Sequence, residues 1–350
     1  MDSANPKKIH KPALLGYTLE ELRSLCVEMG YKPFNGAQIA KWLYQKGAGS
    51  FDAMTDLPSA LRRLLDERFV VGLRSHVESQ RSADGTAKYL FPTECGHFVE
   101  TVYIPEASRA TICVSSQVGC RMRCAFCMTG RQGFQGQLTA ADILNQLFCL
   151  PEHEEISNMV MMGQGEPMDN IDAVMRALDV LTAPWGLAWS PKRITVSSVG
   201  IIPGLRRLLD ESRCHVAISL HHPDHEGRMA LMPAERAYSI AEVVGLLREY
   251  DWTGQRRLSF EYIVFDGVND SRDDAAAIVG LLKDLECRVN LIRFHSIPDS
   301  KLHGVDDGRM MRFRDYLTSH RVFATIRTSR GEDIAAACGL LNTDRQNKNK

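Results

Sequence analysis

Apolar residues recur along the 350-residue chain at two spacings, and the change from one to the other comes near residue 76. Between residues 17 and 70 the spacing is helical. In "TLEELRSLCVEMG", Leu19, Leu22, Leu25 and Cys26 share one helix face. Thr18 with Glu21 three positions later makes a capping box, and Gly30 supplies a stop. "GAQIAKWLYQKG" and "PSALRRLLDERF" predict two further short helices, the second with Pro58 at a first-turn position. From 76 to 104 the residues alternate around Asp84-Gly85, a dipeptide suited to a tight turn, which predicts a β-hairpin and a further strand.

From about residue 109, apolar strands alternate with helices. Strands are expected at 110–115, 158–163, 193–198, 215–221, 258–266 and 288–294. Helices are expected near 139–150, 170–182, 203–211, 239–250, 272–285 and 308–320, the first capped by Thr139 and Asp142. A last strand, "FATIRTSRG", precedes a helix starting near Asp333. Strands of buried type joined by helices argue for a parallel sheet covered on both faces. Six such units are too few to close an eight-stranded barrel. The expected class is therefore α/β, a partial TIM-like (β/α)6 barrel with functional residues at the C-terminal ends of its strands. Three regions follow: a helical accessory module at 1–75, a β-hairpin linker and strand at 76–105, and the barrel core with a C-terminal segment at 106–350.

Hydrophobic residues make up 44% of the chain and charged residues 24%, a soluble globular balance. No apolar run approaches the ~20 residues of a membrane span, and the first residues lack the apolar stretch of a secretory signal. We expect a cytoplasmic protein, with no membrane as partner. Ten cysteines without an export signal point to metal or catalysis rather than to disulfides. The net charge of −1 gives no global attraction to nucleic acid. Local basic patches could still serve: Lys7/Lys8/Lys11, Arg62/Arg63, Arg121/Arg123/Arg131, Arg206/Arg207, Arg256/Arg257, and the end from Arg345 to Lys350. Each of these is also an ordinary solvated face.

Candidate chemistry concentrates in "GCRMRCAFCMTG", where Cys120, Cys124 and Cys127 follow the first core strand with C-x3-C-x2-C spacing. A zinc clamp wants four ligands and a redox pair wants two. A [4Fe–4S] cube has four irons, so three thiolates leave one iron open to a chelating substrate. A zinc site completed by a distant Cys or His is the plainer alternative. In "GQGEP", Gly163 and Gly165 allow close backbone approach to a ligand, and Glu166 can accept from a ligand ammonium.

These segments resemble the radical S-adenosylmethionine (SAM) superfamily and, within it, the RlmN family. The resemblance is carried in order by "CVSSQVGCRMRCAFCMTGRQGF", "VMMGQGEPMDN", "ITVSSVG", "VAISLHHP", "EYIVFDGVND", "VNLI" and "TIRTSRGEDIAAACGLL". It implies a radical SAM barrel holding a [4Fe–4S] cluster on Cys120, Cys124 and Cys127, with SAM on the open iron. It implies methylation of adenine C2 in 23S rRNA and, in some members, in tRNA. By the same resemblance, Gly165, Glu166, Ser197, Ser219, Leu220 and His221 contact SAM. Cys338 carries a methyl group, Cys113 resolves the RNA adduct by forming a disulfide with Cys338, and Glu100 matches the proton acceptor. The partners implied are RNA, a thioredoxin-type reductant for the disulfide and a flavodoxin- or ferredoxin-type electron donor, with the protein acting as a monomer. The other cysteines, Cys26, Cys95, Cys149, Cys214 and Cys287, have packing or turn positions.

The sequence departs from the family pattern at two places. His295 stands where the family usually has a SAM-contacting Asn, and Gln164 replaces the more usual Met of "GMGEP". Pro167 distinguishes the C2 type from the C8-methylating Cfr-type sister family, which tends to lack it. Outside this class stand a zinc-stabilised RNA-binding module without catalysis, and a radical SAM activase of a protein partner, which would need neither Cys113 nor Cys338.

Overall fold

The computed structural model describes residues 11–254 and 256–343. The basic patches at Lys7 and Lys8 and from Arg345 to Lys350 lie outside the described residues. The N-terminal module contains α1 (Leu19–Glu28), α2 (Pro33–Ala40) and α3 (Ser59–Arg68). The Thr18 hydroxyl accepts from the Glu21 N–H, and the Glu21 carboxylate accepts from the Thr18 N–H at 2.8 Å, closing the expected capping box. The second helix starts three residues earlier than the apolar spacing suggests, because Pro33 suits a first turn. It runs on into a π-helical turn, Lys41–Gln45. Gly36 is needed where α2 meets α1, since a Cβ there would lie 2.5 Å from the Arg23 nitrogen. Tyr44 anchors the module to the core, its ring 5.7 Å from that of Trp185.

The hairpin comprises β1 (Glu78–Arg81) and β2 (Ala87–Pro92), followed by β3 (Phe98–Glu106) and β4 (Arg109–Cys113). A short antiparallel pair, β5 (Gln117–Val118) with β6 (Gly136–Gln137), brackets the cysteine loop and α4 (Met128–Gln132). Then follow α5 (Ala140–Phe148), β7 (Asn158–Met161), α6 (Ile171–Thr182), β8 (Ile194–Ser198), α7 (Ile202–Glu211) and β9 (His215–Ser219). The chain continues through α8 (His225–Leu231), α9 (Ile240–Leu247), β10 (Leu258–Val264), α10 (Arg272–Leu281), β11 (Arg288–Arg293), α11 (Asp307–Ser319) and β12 (Phe323–Ile326).

Ten strands form one sheet in the order β1-β2-β3-β4-β7-β8-β9-β10-β11-β12. Pairing is antiparallel from β1 to β4 and parallel from β4 to β12. The outer strands β1 and β12 do not pair with each other, so the barrel stays open, as the count of units predicts. All seven residues of β10 are buried, and α5, α6 and α9 press Ile143, Leu144, Val174, Leu178, Val243 and Leu247 onto the strands. No helix among the described residues is long and apolar enough to cross a membrane.

The helix expected near Asp333 is a single 3-10 turn, Glu332–Ile334. Gly331 and Ala335 flank it in the left-handed region, at φ 61 and φ 51, and stop propagation on both sides. The sequence also hides α4 and α8, which are too short to show periodicity.

Candidate active site

The cysteine loop is built as a continuation of β4. Beyond Cys113 the chain is pinned to the next strand-end loop, because the N–H groups of Ser116 and Gln117 both donate to the Gln164 carbonyl, at 2.8 and 3.2 Å. The Gln117 side chain donates to Asp169 at 2.7 Å and accepts from the Glu166 N–H at 2.9 Å. Cys120, Cys124 and Cys127 line one cavity of about 150 Å³ together with Gly165, Glu166, Ser197, Ser219 and His221. Burial, reinforced by neighbouring negative charge, pushes the Cys120 thiol up to about 12 and holds Cys124 well above its ordinary value; burial likewise raises Cys127. Deprotonation of such thiols needs a metal to take the proton's place. Three cysteines lining one cavity are a donor set that would suit a four-iron cube, with one iron left for a further ligand.

Glu166 lines the same cavity and is buried. Its carboxylate accepts from the N–H of Met168 at 3.1 Å and of Val199 at 2.9 Å. Burial nonetheless lifts its pKa to about 7, against these bonds and that of Ser198. The glycines beside it both line the cavity and also make room for the protein's own chain. A Cβ on Gly163 would lie 2.7 Å from the Val114 oxygen, and one on Gly165 2.6 Å from Gln117.

His221 sits at φ 51, in the left-handed region, with its ring 4.6 Å from that of Phe126. Its Nδ1 accepts from the Ile263 N–H at 3.0 Å, so the proton resides on Nε2 as a donor. Burial lowers its pKa to about 3 and keeps it neutral. Leu220 is fully buried in the core and does not line the cavity; its carbonyl accepts from Arg228. Arg228 has no periodic or motif signature in the sequence, yet it ties the strand-end loops together. Fully buried and ion-paired with Glu235, it donates to the carbonyls of Val199, Ser219 and Leu220 at 2.7, 2.8 and 3.1 Å.

The second pair of cysteines lies within electrostatic reach of one another. Cys113 ends β4 and is buried beside Ala336 and Leu341, while Cys338 is exposed. Burial, then the neighbouring Cys338, pushes the Cys113 thiol up to about 12. Arg327, paired with Glu261 at 3.2 Å, lies within electrostatic reach of both thiols. Glu100 on β3 is buried, pairs with Lys88 at 3.0 Å, and accepts from the Asn342 N–H of the tail at 2.6 Å. Gln164, the departure from the family pattern, has a structural use here. Its side chain accepts from the Glu100 N–H at 3.0 Å and donates to Gln132 at 3.2 Å, and Gln132 donates to Thr343 at 2.6 Å. His295 does not join the cysteine cavity. It is held by Ser329 at 3.0 Å and Glu332 at 3.2 Å, in the wall of a larger cavity inside the barrel.

Several basic patches are consumed locally. Arg121 pairs with Asp169 at 3.0 Å, Arg206 with Glu249 at 3.0 Å, and Arg207 with Asp172. The adjacent pair Arg256 and Arg257 splits. Arg256 is buried and donates to the carbonyls of Cys214, Leu209 and Leu208, whereas Arg257 is exposed.

Comparison with known proteins places the chain in a family. The family described as the ribosomal RNA large subunit methyltransferase N-terminal domain matches residues 13–71, and the radical SAM superfamily matches residues 114–278. The probable dual-specificity RNA methyltransferase RlmN of Bacteroides thetaiotaomicron is 57% identical over 339 residues, 97% of this chain and 98% of that protein. The corresponding protein of Porphyromonas gingivalis strain ATCC 33277 is 52% identical over 335 residues, 96% of this chain and 95% of that protein. The crystal structure of a radical SAM methyltransferase from Sphaerobacter thermophilus superposes with a TM-score of 0.88 at 38% identity, covering 95% of this chain and 99% of that one. With relatives this similar over nearly their whole length, the chain belongs to the RlmN family of radical SAM RNA methyltransferases.

Proposed function

We propose that the enzyme methylates C2 of an adenine in 23S rRNA, at the peptidyl transferase centre, and in tRNA, as the dual-specificity name of its relatives implies. The observation that carries this reading is the placement of a buried thiol, Cys113, beside an exposed one, Cys338, next to a cavity lined by three further cysteines. Adenine C2 is electron-poor, so it cannot attack an electrophilic methyl group directly, and two thiols provide an indirect route.

The exposed Cys338 takes a methyl group from one SAM by displacement at carbon, leaving a thioether. A [4Fe–4S] cluster held by Cys120, Cys124 and Cys127 would supply the electron that cleaves a second SAM to a 5′-deoxyadenosyl radical. The S-methyl of Cys338 gives up a hydrogen atom to the 5′-deoxyadenosyl radical, and its carbon then adds to C2, joining protein to RNA. The adduct radical loses one electron, which would return to the cluster, and its C2 proton goes to Glu100 or Cys113. The Cys113 sulfur, as thiolate, attacks that of Cys338, forming an S–S bond as the S–C bond breaks, and the released carbon takes up a proton as the methylated base leaves. Thioredoxin-type exchange then reduces the disulfide, and a flavodoxin- or ferredoxin-type protein supplies electrons to the cluster. SAM contacts are assigned to Gly165, Glu166, Ser197, Ser219 and His221; Leu220, whose carbonyl holds Arg228, and His295, which holds Ser329 and Glu332, are assigned positioning roles instead. The helical module (1–75) and hairpin (76–105) dock RNA beside the barrel core (106–350), and the enzyme works in the cytoplasm as a monomer.

The test is mass spectrometry of adenosines from rRNA and tRNA after reaction with the reconstituted enzyme. 2-Methyladenosine is expected. 8-Methyladenosine would move the protein to the Cfr-type activity, and the absence of both would overturn the reading.

A further inference from the structure

We propose that the open barrel lumen is the route by which the target nucleotide reaches Cys338, and that Arg193, Arg257 and Arg288 at its mouth hold phosphates of the RNA strand flanking the target. The proposal rests on the RNA methyltransferase activity above and deepens it by giving the substrate a path.

A cavity of about 710 Å³ runs along the inside of the curved sheet. At its inner end lie Cys338 and Arg327; at its outer end lie Arg193, Arg257 and Arg288, at or next to the first residues of β8, β10 and β11. Cys338, Arg327, Glu261 and Ile292 also line the cavity of the three-cysteine loop. The methyl-carrying residue thus stands between two spaces, with SAM chemistry on one side and room for a base on the other. A nucleotide arriving through the lumen would not compete with SAM for space.

The charge at the mouth is unbalanced. Arg193 and Arg257 are exposed and have no carboxylate partner among the described residues. Arg288 lies over the Phe323 ring at 5.7 Å and is likewise unpaired among them. The acids facing the same cavity are already engaged, Glu106 with Arg109 and Glu261 with Arg327. The local field is strong enough to act on His215, at the start of β9 in the same rim. Burial, and after it Arg257, Arg288, Arg256 and Lys192, hold that imidazole neutral down to about 4. Guanidinium forks without protein partners are suited to phosphate oxygens.

Depth fixes which phosphates these are. β11 spans Arg288 to Arg293, and at ~3.3 Å per residue six strand residues cover roughly 20 Å. That exceeds the length of one nucleoside. The mouth therefore addresses neighbours of the target in an unstacked strand, while the target base is extended inward.

The test compares binding of a short RNA carrying the target adenine across a series of KCl concentrations. The double variant R193Q/R257Q is expected to bind roughly 10-fold more weakly, with a salt slope lower by about 1.4, at ~0.7 for each single-strand phosphate no longer neutralised. The control R206Q/R207Q removes two arginines that are already ion-paired on α7, and should leave affinity and slope as they were. Unchanged affinity and slope in the rim variant, with its thermal melt intact, would overturn the proposal. So would an equal loss in the control. If the rim variant instead keeps its RNA affinity but is reduced more slowly by thioredoxin, the face docks the reductant and the RNA route is wrong. A wild-type enzyme that forms no methyladenosine would count against the parent activity; a wild type that methylates beside an unaffected rim variant counts only against the route.

Discussion

Cys113 and Cys338 differ by exposure, and that difference suits the division of labour proposed for them. Cys338 can meet SAM and RNA in turn, whereas Cys113 is buried at a strand end with its thiol held up at about 12. Cys338→Ala should abolish RNA methylation while 5′-deoxyadenosine still forms, as liquid chromatography of the products would show. Cys113→Ala should trap a protein–RNA adduct, visible as a shifted band on a denaturing gel; free RNA alone would contradict its resolving role. Glu166 gives a pH signature. Its folded pKa of about 7 lies above the ordinary 4.5. The folded protein keeps this proton where the unfolded chain has lost it. The resulting stability is fully present below about 4.5 and disappears as pH rises through 7. Glu166→Gln removes that dependence, so its melting temperature relative to wild type should rise from pH 5 to pH 8 in the metal-free chain. A constant difference across that range would mean Glu166 does not titrate as described.

Helix ends are where the sequence speaks most clearly, and Asp142 shows what they are worth. One carboxylate oxygen accepts from the Thr139 N–H at the start of α5, at 3.1 Å; the other takes Arg74 at 2.8 Å and the Glu94 N–H at 2.9 Å. The same side chain thus caps a core helix and holds the junction between module and hairpin. Asp142→Ala should destabilise the protein by about 2–3 kcal/mol, measured by urea denaturation, because it strands buried donors as well as uncapping the helix. A loss below about 0.5 kcal/mol would mean the junction finds other acceptors. The Thr139 box, the strand pattern and the C-x3-C-x2-C loop were legible because each is local: cap, alternation and ligand spacing lie within a few residues. Arg228 was not legible, because its three carbonyl partners come from two other strand-end loops. The helix expected near Asp333 failed for a related reason. Its alanines favour a helix locally, but the segment follows Cys113, Glu100 and α4, and left-handed Gly331 and Ala335 turn it toward them. The lumen rim was half visible, since Arg257 stood in a noted patch, but only the sheet shows that Arg256 beside it is spent on carbonyls.

At the scale of the whole molecule, the segment from Ser329 to Thr343 ties three distant parts of the chain together without belonging to any sheet. The Gly331 N–H donates to Asp84 in the hairpin turn at 3.1 Å, and the Asn342 N–H to Glu100 on β3 at 2.6 Å. The Gly339 carbonyl accepts from the Met128 N–H at 2.8 Å, the Leu341 carbonyl from the Thr129 hydroxyl at 2.8 Å, and Thr343 from Gln132 at 2.6 Å. Its regular structure is a single 3-10 turn, so its order depends on these individual bonds, and it should open at far lower cost than the strands beneath it. For Glu100 to take the C2 proton in the mechanism proposed above, the segment must open, because the Asn342 N–H occupies one oxygen of its carboxylate. The helix α4, which begins right after Cys127, is thereby coupled to the segment carrying Cys338. Gln132→Ala cuts the bonds to Thr343 and Gln164 together, a loss of about 1–2 kcal/mol. Amide exchange in the peptide covering 335–343 should then speed up by about 5–30-fold, while exchange in β10 stays unchanged. Mass-spectrometric hydrogen exchange on wild type and variant decides the matter: equal protection of the tail in both would show that α4 does not hold it.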